Sequence, residues 1–134
     1  MSLPPADAAY LAERGIGYTV TMDGPMTCVV FPGWPVPPGY SRSSVDLLLR
    51  LPPGFPDVPP DMWWVAPALQ LAGGGVVEAT QLTEVYLGRS WQRWSRHFTP
   101  GQWRPGTDSL ESFLARVRAE IQRSAGIAPA VVAA

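Results

Sequence analysis

Apolar residues recur along this chain with two periods, and the changes between them mark out its elements. Residues 4–14 read as a short helix: Asp7 sits near the start, Ala8, Ala9, Leu11 and Ala12 tolerate a helix, and Gly15 stands where one would stop. Residues 17–22 and 26–31 are β-rich runs separated by the turn signal Asp23-Gly24-Pro25. Residues 45–51 and 62–66 are two further strand-like runs, so the spacing predicts a four-stranded antiparallel meander. Residues 76–99 carry no clear period, although 83–87 have the makings of another short strand. After Pro105-Gly106 the period becomes helical. Leu110, Phe113, Leu114, Val117 and Ile121 form one apolar face, and Arg116, Arg118, Glu120 and Arg123 fall on the wet side. Asp108 with Glu111 has capping-box spacing, with Thr107 an alternative cap. The expected class is α+β: an N-terminal helix, a four-stranded meander, an irregular segment, and a C-terminal helix packed on the sheet. Residues 1–124 are expected to form one domain and 125–134 a flexible tail.

Composition narrows the function classes. The 134 residues carry a net charge of −1 with no long basic or acidic run, which gives nucleic-acid binding no electrostatic footprint. No apolar run approaches a membrane span, and a single cysteine cannot close an internal disulfide, so a cytoplasmic protein is expected. One His, one Cys, and Asp46, Asp57 and Asp61 without ligand spacing predict no metal site, and no cofactor is expected. All ten basic residues are arginine. A GC-rich genome explains that, and so would a protein that handles activated carboxyl groups and avoids amines of its own.

The connection between the third and fourth runs is the most specific feature. Pro53, Pro56, Pro59 and Pro60 fix φ and remove backbone donors, so the loop must be stiff and extended. The stretch Gly54-Phe55-Pro56-Asp57-Val58-Pro59-Pro60-Asp61-Met62-Trp63-Trp64, after a strand ending in Pro-Pro, resembles the signature of ubiquitin-conjugating enzymes. Phe31-Pro32-Gly33 through Tyr40 is similar to the family's loop between second and third strands. Trp103-Arg104-Pro105-Gly106 is similar to its Trp-[Ser/Thr]-Pro-Ala motif. The ordered set covers roughly residues 7–124 and is most similar to the bacterial branch called prokaryotic family E. That resemblance implies a ubiquitin-conjugating-like fold and, as partners, a ubiquitin-like protein, a ThiF-type activating enzyme and a JAB-type metallopeptidase.

The same resemblance locates the chemistry. Active relatives carry a cysteine about eight residues before the Trp of the Trp-x-Pro motif, and here that position is Ser95. The family's His-Pro-Asn triplet has no clear counterpart, Ala66-Pro67-Ala68 being the nearest remnant. Two readings follow. In one, the protein lacks a covalent carrier and binds a ubiquitin-like protein or its activating enzyme. In the other, Ser95 carries an oxyester, with His97, the only histidine, as its base; two residues apart on an extended segment, both side chains would point the same way. Arg93, Trp94, Arg96, Trp91 and Trp103 belong to the residue types enriched at interface hot spots and are candidate binding residues, with the tryptophans as core an equal alternative. Cys28, in the second strand, is expected to be a buried small hydrophobe. Trp63 and Trp64 should face opposite sides of their strand.

Overall fold

The computed structural model describes residues 3–126. Helix α1 (Pro5–Arg14) ends on Gly15 in the left-handed region at φ 66°, as the sequence predicts. Strands β1 (Thr19–Asp23), β2 (Met26–Pro35), β3 (Ser44–Leu51) and β4 (Trp63–Ala66) follow as an antiparallel meander. The sheet does not stop at four strands. Residues 76–99 supply β5 (Thr83–Tyr86) and β6 (Arg89–Trp94), and β6 pairs with β4, giving the order β1-β2-β3-β4-β6-β5. Helix α2 (Leu110–Ser124) closes the fold. Residues 127–134, most of the expected tail, lie outside the described residues.

β6 escapes the period because one of its core positions is polar. Gln92 is buried, but its Oε1 accepts from the Leu69 N–H (2.9 Å) and from Trp94 Nε1 (3.0 Å), while its Nε2 donates to the Leu69 carbonyl (3.0 Å). A side-chain amide can act as a backbone surrogate in this way, and here it stitches β6 to the chain leaving β4. β2 also runs further than its composition suggests. One extra residue between Phe31 and Trp34 forms a bulge, with Gly33 at φ 64° donating its N–H to Asp46 Oδ1 at 3.0 Å, and pairing resumes through Pro35.

Both helices cover one face of the sheet. Leu11, Phe113, Leu114, Val117 and Ile121 meet Val29, Phe31, Leu47, Leu49, Trp63, Val65 and Trp94 there in a single apolar cluster. The opposite face buries a smaller cluster of Cys28, Leu48, Trp64, Ala66 and Trp91. Trp63 and Trp64 thus divide between the two faces, as strand alternation requires. Cys28 is fully buried; burial pushes its thiol up, against the opposing charge of Arg50. Its Sγ accepts from the Arg50 guanidinium at 3.3 Å, and the residue otherwise packs in this cluster as a small hydrophobe.

The N-terminus of α2 departs from the Asp108–Glu111 expectation. Ser109 is the cap, its N–H donating to Ser112 Oγ at 2.9 Å, while Asp108 Oδ2 accepts from the Arg104 N–H at 2.7 Å. The Leu110 N–H donates to Oδ1 of buried Asp7, 3.2 Å away, so α1 caps α2 across nearly the whole chain. At the other end the buried Tyr40 hydroxyl donates to the Ile121 carbonyl, and burial helps push its ionisation up to about 12.

Replacing Gln92 by Leu should leave both Leu69 backbone groups and the Trp94 indole unpaired. The expected loss is about 1–3 kcal/mol in urea unfolding, with the m-value unchanged. A Leu variant as stable as the parent would show that the amide bridge contributes nothing.

Candidate functional site

β6 delivers the chain to the candidate site. Its last residue, Trp94, is held in the core, and beyond it residues 95–109 form no regular element. Pro100 and Pro105 remove donors there, which excludes both a strand ladder and a helix. What holds this segment is Trp103. Its indole Nε1 donates to the Pro56 carbonyl at 2.9 Å, and its ring lies 6.2 Å from Phe55 and 5.5 Å from Phe98. Phe98 in turn meets Phe113 of α2 at 6.0 Å. The proline loop and the segment after β6 are therefore bolted together by aromatic contact, and Asp57 and Pro59 of that loop form one wall of the site. A shallow cleft of about 340 Å³ opens between them, lined by Asp57, Pro59, Phe98, Thr99, Gly101 and Trp103 among others.

The two candidate catalytic residues lie close in sequence but have different partners. His97 is 61% exposed, and its Nδ1 donates to Oδ1 of equally exposed Asp61 at 2.8 Å. That bond leaves Nε2 free to accept a proton. Ser95 is half-buried; its Oγ accepts from Arg93 Nε at 3.1 Å, and its N–H donates to the Ala79 carbonyl. It lines a second cavity of about 350 Å³ with Ala79, Arg96, Glu120 and Ser124, which His97 does not line. Among the described residues no hydrogen bond joins Ser95 to His97. A guanidinium donating to a hydroxyl cannot take its proton, so the contact on Ser95 is not one that activates a nucleophile.

The arginines and tryptophans put forward as binding residues have structural partners. Arg93 also pairs with Glu84 at 3.1 Å. Arg96 bonds Glu120 at 2.7 Å and the Ser95 carbonyl at 3.2 Å, and it lies over the Trp94 ring. Trp91 and Trp94 are 1% and 0% exposed, and Trp103 is 8%. The structure places these rings in the core; of the residues lining the cleft Asp57, Thr99 and Gly101 are exposed, and so are His97, Asp61, Arg104 and Val58 on the same two loops. Asp61 is the residue that the sequence does not reveal as part of the site. It lies 36 positions from its histidine, and only the crossing of the two loops brings them together. Among the described residues no three His, Cys, Asp or Glu side chains gather as a metal site would need, and no helix is long and apolar enough to cross a membrane.

Glu120 organises the second cavity. Burial pushes its carboxyl up, but hydrogen bonds from Arg123 and Arg96 outweigh it and hold the group below its ordinary value. A carboxyl lowered by folding adds stability above its unfolded value near 4.5, and that stability disappears as pH falls through the folded value. Glu120→Gln should therefore be less stable than the parent at pH 7, by about 1–3 kcal/mol, because Arg96 is left without its anion. The difference should shrink as the pH falls below that unfolded value. A difference independent of pH would show that the charge of Glu120 is not what counts.

A family model described as prokaryotic E2 family E matches residues 3–124, so the chain belongs to that family of ubiquitin-conjugating-like proteins. No curated protein and no solved structure shows a match to it.

Proposed function

We propose that this family E protein serves a ubiquitin-like modification pathway as a binding component with no covalent carrier of its own, holding a ubiquitin-like protein or its ThiF-type activating enzyme. The observation that carries this reading is the state of Ser95. At the position where the family's motif spacing calls for a thiol, the chain has a hydroxyl held by Arg93 and without a hydrogen-bonded base. The sole cysteine lies buried in β2. The docking region is the segment 89–103 with the proline loop opposite, and its accessible part is the cleft beside Phe98 and Thr99 together with the exposed His97, Asp61 and Arg104 of the same two loops. A JAB-type metallopeptidase belongs to the same proposed pathway as the enzyme that would release or trim the ubiquitin-like partner.

One observation favours a second reading, in which Ser95 carries an oxyester. His97 is oriented by Asp61 with Nε2 free, the arrangement that a general base requires, although the segment 95–99 would have to move to bring it to Ser95. An oxyester is less reactive toward amines than a thioester, which weakens this reading for onward transfer.

Incubation with the cognate activating enzyme, ATP and ubiquitin-like protein separates the two. For a binding component no adduct should appear on a denaturing gel, and Ser95→Ala should bind the partner as the parent does. Asp61→Ala combined with Arg104→Ala should weaken that binding. For a transferase, an adduct resistant to thiols and labile to alkali should form and disappear in Ser95→Ala and in His97→Ala. Binding unaffected by every exposed substitution around the cleft, with no adduct, would place the function elsewhere on the molecule.

A further inference from the structure

Arg50, Arg89, Arg93, Arg96 and Arg123 each meet a carboxylate at 3.1 Å or closer. Arg118 is different. It stands exposed on α2 with its guanidinium 4.6 Å from the centre of the Trp34 ring, and among the described residues it has no hydrogen bond and no ion pair. Trp34 itself is buried in β2. Stacking on a ring holds a guanidinium in place and leaves the donors along its edge available to an anion.

That stack divides a groove. Trp34, Pro35 and Arg118 line two adjoining cavities, of about 280 and 220 Å³. The larger continues over Ile16, Phe31 and Pro32 beside the end of α1, and the smaller runs over Pro37 and Ile121 to Gln122 near the end of α2. Among the described residues Arg118 is the one charged side chain lining either cavity, and neither shares a lining residue with the cleft beside Phe98. The walls suit a carboxylate better than a phosphate, which needs several donors converging on it. Pro32, Pro35 and Pro37 have no N–H, while the Gly33 N–H is taken by Asp46 Oδ1 and the Ile16 N–H by the Leu11 carbonyl. One cation between two largely apolar hollows matches one carboxylate with an apolar group on either side. In an extended chain, residues two apart point the same way and lie about 7 Å apart. An acidic residue with apolar residues two positions before and after it therefore presents all three groups to such a surface.

We propose that this groove is a second docking surface, taking an extended acidic segment of a partner protein whose carboxylate pairs with Arg118 while apolar side chains on either side enter the two cavities. Charge favours a partner's segment over this chain's own, because residues 127–134 include no charged side chain to meet Arg118. A segment bound here leaves the cleft beside Phe98 open, so both surfaces can be occupied at once.

Fluorescence anisotropy of the whole chain with the end-blocked peptide Leu-Ser-Glu-Ser-Leu, carrying an uncharged dye, tests the proposal. That peptide should bind about tenfold or more tightly than one with Lys in place of Glu, and than one with Ala in place of both Leu residues. Arg118→Glu, a change at an exposed helix position, should leave the circular dichroism spectrum unchanged and reverse the preference toward the Lys peptide. No detectable binding, equal binding of the Glu and Lys peptides, a preference unchanged in Arg118→Glu, or an Ala-flanked peptide that binds as well as the Leu-flanked one would each overturn the proposal. Two further results would overturn it by giving the groove a different occupant. Tighter peptide binding after Val131→Ser with Val132→Ser would assign it to residues 127–134, and a dimer in sedimentation equilibrium that Arg118→Glu dissolves would assign it to a second copy.

Discussion

The Trp63–Trp94 stack is the contact on which the rest of this structure depends. These residues are direct neighbours across β4 and β6, their rings lie 6.1 Å apart and nearly parallel, and Phe113 of α2 meets Trp63 edge-on at 6.1 Å. Indole rings bury more apolar surface than any other side chain, so this one cluster joins the two halves of the sheet and seats the C-terminal helix on it. The arrangement has a cost, because the Trp63 indole N–H is buried without a partner among the described residues. The Trp94 indole avoids that cost by donating to Gln92, the residue that also ties down the chain after β4.

The geometry of the site follows from that stack. Because β6 is held alongside β4, the chain leaves the sheet at Ser95 and must return to α2 through a proline-interrupted segment. Trp103 limits where that segment can go, since its hydrogen bond to the Pro56 carbonyl draws it against the proline loop. The crossing of two stiff loops creates the cleft and brings Asp61 to His97. Arg116 adds a third support, lying over Phe98 at 4.1 Å and donating to the His97 carbonyl. The site is thus packed where it meets the core and open to solvent beyond it.

The same constraint explains why the arginines nearest the site are not its free charges. Arg93 on β6 and Arg96 just beyond it stand beside buried tryptophans and are met by Glu84 and Glu120. Arg96 also lies over the face of Trp94, and both guanidinium groups tie carboxylates to the end of β6, an ordinary use of arginine's planar, multiply donating head. Arg104, further along the loop, is exposed.

The sequence by itself determined the local elements and the family. Helical spacing from Leu110 to Ile121, the four strand runs, the positive-φ glycine after α1 and the ordered proline and tryptophan motifs are all properties of near neighbours, which periodicity and turn chemistry report directly. It also located Cys28 in the core and split Trp63 from Trp64. Tertiary structure alone decided the rest. β6 was illegible because Gln92 occupies a core position that becomes acceptable only when the Leu69 backbone arrives to satisfy it. Trp91 and Trp94 could be core or surface until β6 was paired with β4. Asp61 took its partner from a loop whose approach depends on the Trp103 contact, and no spacing along the chain encodes a meeting of that kind. Periodicity reports which side of an element is apolar; which distant groups satisfy its polar atoms is settled only when the elements pack.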